Sequence, residues 1–424
     1  MNAPAGTANH TTAKTQAHTT GRTADRVALA LLCVFVFTIP WEKGVYLGAL
    51  GTIAKASGLA AFAAGVVVVV LRFIAAPRRA GAFPEAVTPP PFAFIAAALF
   101  VTWSALTWIW SLDQQATVSR VATLAQLLGM LWLIVEFVAS PWRQRLLLQF
   151  YLAGAVTGAA IAFARYASNL QTYYKRYAAA GFDPNTFGVI LALSVPLALH
   201  LAFTAKGAMR WVYHLSTLLV LGALLLTGSR AAFLAALLAF AYPLLRWRTL
   251  TVGNRCATCV LFAMLLLSLA PMAPSPSRER LSTIPGELTR GTLNSRKVLW
   301  KGGLLQWVER PLQGVGAGAY PTAIAAWLNQ PKVPGFLPVA HNTFLSVLVE
   351  CGLMGFGCFG LLLLALCLNI WMMQAPDRAL WMVMLLVWAA GVSTLTWEHH
   401  KVTWLLFGLI TSVSGSAWWR RPSA

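Results

Sequence analysis

The chain has 424 residues, 58% of them hydrophobic and only 10% charged, where a soluble domain carries about 25% charged residues. With a mean hydropathy of +0.67 and apolar residues gathered in long runs, the composition excludes a soluble enzyme, a disordered protein and a coiled coil. The net charge of +20 would suggest nucleic acid in a soluble protein. Here it reads as the cationic excess of cytoplasmic loops beside anionic lipid, and no nucleic-acid partner is expected.

Residues 1–24 are rich in Ala, Thr, Gly and His without an apolar core, so they are expected to form a disordered cytoplasmic tail without a cleavable signal peptide. A membrane helix needs about 20 mostly apolar residues. Such stretches lie near 26–41, 52–75, 91–110, 117–139, 145–165, 185–204, 210–227, 230–246, 255–272, 341–372, 378–396 and 401–417. The fold class is therefore an all-α polytopic integral membrane protein of about twelve transmembrane helices. Helices one to nine occupy 25–272, a large and mostly helical outer loop domain 273–340, helices ten to twelve 341–417, and a short cytoplasmic tail 418–424. The tenth stretch is long enough to tilt or to begin outside the bilayer.

Orientation follows from the basic residues of the short loops. Arg22 and Arg26, Arg72, Arg78 and Arg79, Arg143 and Arg145, Lys206 and Arg210, Arg246 and Arg248, Arg378, and Arg420 and Arg421 all fall on one side if both termini are cytoplasmic. Two outer segments are nevertheless cationic. The loop after the fifth helix carries Arg165, Lys175 and Arg176 against Asp183, and the 273–340 loop carries Arg278, Arg280, Arg290, Arg296, Lys297, Lys301, Arg310 and Lys332 against three acids. Either these loops touch lipid headgroups, or they form an external site for phosphates. Within the long loop, Leu299, Leu304 and Trp307 set an amphipathic helical rhythm that Pro311 ends. A flexible glycine turn at Gly314-x-Gly316-x-Gly318 follows, and Trp327 and Phe336 are placed to cover a cleft.

Ionisable groups near the bilayer are costly unless paired or wet. His341, at the outer start of the tenth span, can accept a proton near neutral pH, or serve as an interfacial hydrogen-bonding residue. Asn342 beside it can hold a hydroxyl or carbonyl. Arg230, in the short turn T-G-S-R after the seventh helix, must lie at the surface, with Ser229 as a further donor; it suits a phosphate or a capping and snorkelling role. Asn185, in G-F-D-P-N-T-F-G, sits at a helix start where capping alone would explain the motif. Glu350 lies on the face of its helix opposite His341. Adjacent His399 and His400 point apart, which makes them a poor joint metal site, and Cys256-x-x-Cys259 stands without a second ligand pair. No metal and no cofactor are expected.

The ordered set G-F-D-P-N-T-F-G at 181–188, T-G-S-R at 227–230, R-K-V-L-W at 296–300, P-L-Q-G-V-G-A-G at 311–318 and H-N-T-F-L-S-V-L-V-E-C-G-L-M-G at 341–355 resembles the O-antigen ligase family. Its superfamily also holds O-antigen polymerases and bacterial O-oligosaccharyltransferases. The resemblance implies a metal-independent, inverting glycosyltransferase on the periplasmic face of a Gram-negative inner membrane. The donor would be undecaprenyl-diphosphate-linked O-polysaccharide and the acceptor a sugar hydroxyl of lipid A–core, both met among membrane lipids. By that analogy His341 is the general base, while Arg230 and Arg296 hold and stabilise the diphosphate. Arg176, Arg165 and Arg290 are further binding candidates by outer placement, alongside Asn342, Ser229 and Asn185. A polymerase, a protein O-oligosaccharyltransferase or a lipid-linked glycan transporter are the competing functions. The single long late loop and the absence of an internal repeat favour a ligase.

Overall fold

The computed structural model of the protein describes residues 7–75, 91–172, 176–267, 296–328 and 338–418. These residues are helical apart from connecting turns and one isolated bridge between Tyr46 and Thr52. The helices are α1 (Thr7–Thr38), α2 (Ile53–Ala75), α3 (Phe92–Leu106), α4 (Gln114–Phe137), α5 (Pro141–Ala167), α6 (Pro184–Thr204), α7 (Met209–Leu226), α8 (Arg230–Ala239) and α9 (Ala241–Arg246). After them come α10 (Val252–Leu267), α11 (Arg296–Glu309), α12 (Tyr320–Trp327), α13 (Thr343–Met372), α14 (Ala375–Val392) and α15 (Lys401–Trp418).

Among the described residues ten stretches are long and apolar enough to cross a membrane, so the chain is a multi-pass membrane protein. The stretches expected as ninth and twelfth spans appear as shorter apolar helices, Val252–Leu267 and Lys401–Val413. The expected eighth span divides at Phe240 into α8 and α9. Pro243 supplies the cause, because it has no N–H to offer the carbonyl of Ala239. α1 differs from the expected disordered tail by starting at Thr7, although only Thr23–Gly44 is apolar enough to span. Adding turns to a helix already nucleated costs little per residue.

Burial sorts the helices. The spanning window of α6 is 83% buried and that of α2 only 17%, so α6 is the centre and α2 lies at the lipid-facing rim. α6 packs on α5, α7, α8 and α14. At its N-terminal end Asp183 caps the helix, its Oδ2 accepting from the N–H groups of Asn185 and Thr186 at 2.9 Å each. Pro184 at the first helical position has no N–H needing a partner. α13 is interrupted at Gly352, whose φ of 65° and ψ of −171° lie outside helical space. The break separates an N-terminal half beginning beside His341 from a C-terminal half, and the helix packs on α3.

Candidate active site

The site grows from the start of α6, the end of α7 and the start of α8. Tyr177 N–H donates to the carbonyl of Leu226 at 3.0 Å, drawing the 176–182 segment onto the end of α7. Arg176, only 7% exposed, donates from Nε to the Thr227 carbonyl at 2.6 Å and from Nη2 to Asn185 Oδ1 at 2.8 Å. Its guanidinium thus ties the T-G-S-R turn to the first turn of α6. Gly188 allows this approach, since a Cβ there would meet Ala232, Thr227 and Ser229. Ser229 caps α8 by accepting from Ala232 N–H at 3.4 Å, which leaves Arg230 as the first helical residue at the cluster's edge.

α11 closes the other side, with Arg296 as its first residue. Trp300, one turn further on, donates from Nε1 to the carbonyl of Ala340 at 2.8 Å, so α11 holds the backbone next to His341. Tyr320 of α12 donates to the Leu299 carbonyl at 2.8 Å and fixes α11 from behind. Asn342 Oδ1 caps α13 by accepting from Leu345 N–H at 3.0 Å. Thr343 Oγ1 donates to the Leu395 carbonyl and accepts from Trp397 N–H, both at 2.8 Å. Between these anchors His341 has φ of 47°, a left-handed conformation uncommon for a residue with a side chain.

Electrostatics define what the enclosure favours. Burial lowers the pKa of His341 and the charge of Arg296 lowers it further, while Asp183 pulls the other way. The imidazole is therefore neutral at neutral pH. The pKa of Arg296 is itself lowered by burial and then by Arg230, again opposed by Asp183. A guanidinium whose charge is opposed by the neighbouring Arg230, beside a half-buried neutral imidazole, forms a place where an anion relieves repulsion.

Arg176, Asn185, Ser229, Arg230, Arg296, His341 and Asn342 thus lie in one neighbourhood, linked by hydrogen bonds around the 227–230 turn and by the charges of Arg230, Arg296 and Asp183. Within it Arg176 and Asn185 bond each other, and the Ser229 and Asn342 side-chain oxygens cap helices. Arg165 stands apart in the last turn of α5, its Nε buried without a hydrogen-bond partner among the described residues. Arg290 and Phe336 lie outside the described residues. Asp183 and Trp300 belong to the site but were not singled out from the sequence. Asp183 could have been found as the one acid in a cationic loop, and Trp300 by its helical spacing of four from Arg296.

A second polar cluster lies on the other face of α13. Arg120 of α4 is paired with both Glu350 and Glu398, and Glu398 also meets His399 Nδ1 at 3.0 Å. Burial would raise the Glu398 pKa, but His399 and Arg120 outweigh it and hold the carboxyl below its usual range. Glu350 accepts from Gly318 N–H at 2.7 Å, and its own carbonyl accepts from Gly316 N–H at 2.9 Å. The 314–318 segment, expected as a flexible turn, is instead buried and hydrogen-bonded along α13. Its glycines are required because a Cβ at Gly314 would strike the backbone of Glu350. His399 and His400 point to different partners, His400 stacking on Trp397 at 4.2 Å.

No curated protein matches the chain. Residues 215–360, which carry the T-G-S-R turn, α11 with Arg296, and His341, match the family model described as O-antigen ligase.

Proposed function

We propose that the protein is a periplasmic-face glycosyltransferase that moves O-polysaccharide from undecaprenyl diphosphate to a sugar hydroxyl of lipid A–core, with both termini in the cytoplasm of a Gram-negative cell. The observation that carries this reading is the neutral imidazole of His341 held beside Arg296, with Arg230 within electrostatic reach of Arg296.

In this mechanism the donor diphosphate lies against Arg230 and Arg296. His341 takes the proton of the acceptor hydroxyl as its oxygen attacks the anomeric carbon. The bond from that carbon to the diphosphate oxygen breaks, and its electron pair leaves with the phosphate. Attack from the opposite face inverts the anomeric centre. The two guanidinium groups stabilise the charge that develops on the leaving group, so the reaction needs no metal. Asp183, the one carboxylate among the described residues that acts on both His341 and Arg296, favours the protonated imidazole after transfer. Arg176 acts indirectly, by holding the turn that presents Arg230.

Reconstitution of the purified protein with a lipid-diphosphate glycan, with and without lipid A–core, tests the reading. Glycan appearing on lipid A–core, dependent on His341 and undiminished by EDTA, is the expected result. Longer lipid-linked glycan without an acceptor would make the protein a polymerase, and binding without a covalent product would make it a transporter.

A further inference from the structure

A second basic corner lies against the site and takes no part in the transfer chemistry described above. It forms where the short helical turn Ile39–Gly44 meets the start of α15. Lys401 Nζ donates to Glu42 Oε1 at 2.9 Å and to Oε2 at 2.8 Å, and Thr52 Oγ1 donates to Oε2 at 2.6 Å. Both oxygens of this carboxylate are therefore taken. Lys43 follows Glu42 in sequence, and Lys55 lies one turn from Thr52, its backbone N–H donating to Thr52 Oγ1 at 3.3 Å. Neither lysine has a carboxylate partner among the described residues. Pinning the turn to α15 explains the Glu42–Lys401 pair but not the two further lysines.

Lys43 is half-buried, with Nζ 5.2 Å from the centre of the Phe182 ring. Burial, then the charges of Lys401 and Lys43, hold the pKa of His400 well below the usual histidine range, so the ammonium groups and this imidazole share one environment. A half-buried cation among other cations is costly until an anion reaches it. Two links bring the corner to His341. Gly181 packs on Lys43, since a Cβ there would meet the Lys43 carbonyl, and two residues on Asp183 acts on His341 and Arg296. From the other direction His400 stacks on Trp397, whose N–H donates to Thr343 Oγ1, two residues after His341. The corner thus neighbours the same histidine as the arginines do but is built from different elements. Past Lys43 the chain turns through an apolar tip, with Tyr46 and Leu50 exposed, that the Tyr46–Thr52 bridge closes. Exposed apolar side chains in a membrane protein meet lipid, which fits an anion carried by a lipid.

We propose that Lys43 and Lys55 form an anion subsite for the acceptor, binding a phosphate of the lipid-anchored saccharide whose hydroxyl meets His341. This rests on the reading of His341 as the base for a lipid A–core hydroxyl and adds which residues select that acceptor. Donor diphosphate and acceptor phosphate are then held by separate sets of cations, so the two anionic lipids do not compete for one site.

The experiment measures binding of lipid A–core, intact and after phosphatase treatment, and of inorganic diphosphate, to the full-length protein in detergent. The intact lipid is expected to bind roughly tenfold more tightly than the dephosphorylated one. A Lys43→Gln, Lys55→Gln double variant is expected to erase that preference and a Lys43→Arg, Lys55→Arg variant to restore it, with diphosphate binding unchanged in both. In transfer assays the glutamine variant should raise KM for lipid A–core and leave kcat nearly unchanged. Retention of the preference by the glutamine variant would overturn the subsite. An equal loss of diphosphate binding would also overturn it, by making the lysines part of the donor site. Displacement of lipid A–core by phosphatidylglycerol at matching concentration would do the same, by making the corner a general headgroup contact. A lysine-dependent preference in a protein that transfers no glycan upholds the subsite and removes the ligase reading. Transfer to lipid A–core without any phosphate preference removes the subsite and leaves that reading standing.

Discussion

His341 adopts a left-handed backbone that a histidine tolerates only when its surroundings hold it there, and they do so through the Trp300 bond to Ala340 and the capping of α13 by Asn342. In the proposed reaction, a base fixed in this way is matched to one substrate position. His341→Ala is expected to lower turnover by about two to four orders of magnitude with donor binding retained, measured by transfer to lipid A–core. The pH profile has a defined sign. Because His341 must be neutral to accept a proton and its pKa is lowered, the acidic limb of the rate profile should fall below the usual histidine range, with a plateau at neutral pH. Arg296→Ala removes a neighbouring positive charge, so the limb should move to higher pH as well as the rate falling. An unmoved limb would separate the two residues. Trp300→Phe keeps a ring but loses the bond to the Ala340 carbonyl, and kcat should fall with KM nearly unchanged, showing that α11 positions the base.

Helix boundaries in this chain follow local chemistry closely enough to be tested one residue at a time. Gly352 is the clearest case, since its backbone lies in a region open essentially to glycine alone and a Cβ there would meet the Leu312 carbonyl. Gly352→Ala is expected to destabilise the protein by about 1–3 kcal/mol and to loosen the 312–318 segment, read as a lower thermal midpoint in detergent and faster amide exchange there. The apolar runs were legible as helices because the bilayer demands about 20 apolar residues and loops interrupt them with charge. Pro243 marked the division of α8 from α9 just as plainly, although a single hydrophobic run concealed it. The 314–318 glycines were misjudged for a physical reason. Glycine marks either freedom or close approach, and only the facing helix decides which.

Across the whole molecule, what the sequence could not reveal is pairing between distant residues. His341 and Arg230 stood out as ionisable groups at the ends of apolar runs, where their cost demands a purpose, whereas Arg296 was one of many cations in the 273–340 loop and only the resemblance picked it out. That Glu350 and Glu398 share Arg120 has no local trace, because the partners come from α4, α13 and the turn before α15. The triad joins those elements to the segment between α11 and α12, so it fixes the frame on which both Arg296 and His341 are mounted. Arg120→Met would leave two buried carboxylates uncompensated, and a loss of about 3–5 kcal/mol is expected in chemical or thermal unfolding. A variant that unfolds like the wild type would show that water reaches the carboxylates.

The same triad constrains how the protein is made. Arg120 enters the membrane with α4, but Glu350 and Glu398 follow only 230 and 278 residues later. At synthesis rates of about 5–20 residues per second, the arginine waits on the order of ten seconds to a minute for its partners. Until α13 and then the turn before α15 emerge from the ribosome, the nascent chain holds a cation short of its carboxylates, and assembly of the face that carries Arg296 and His341 becomes one of the last events in its biogenesis.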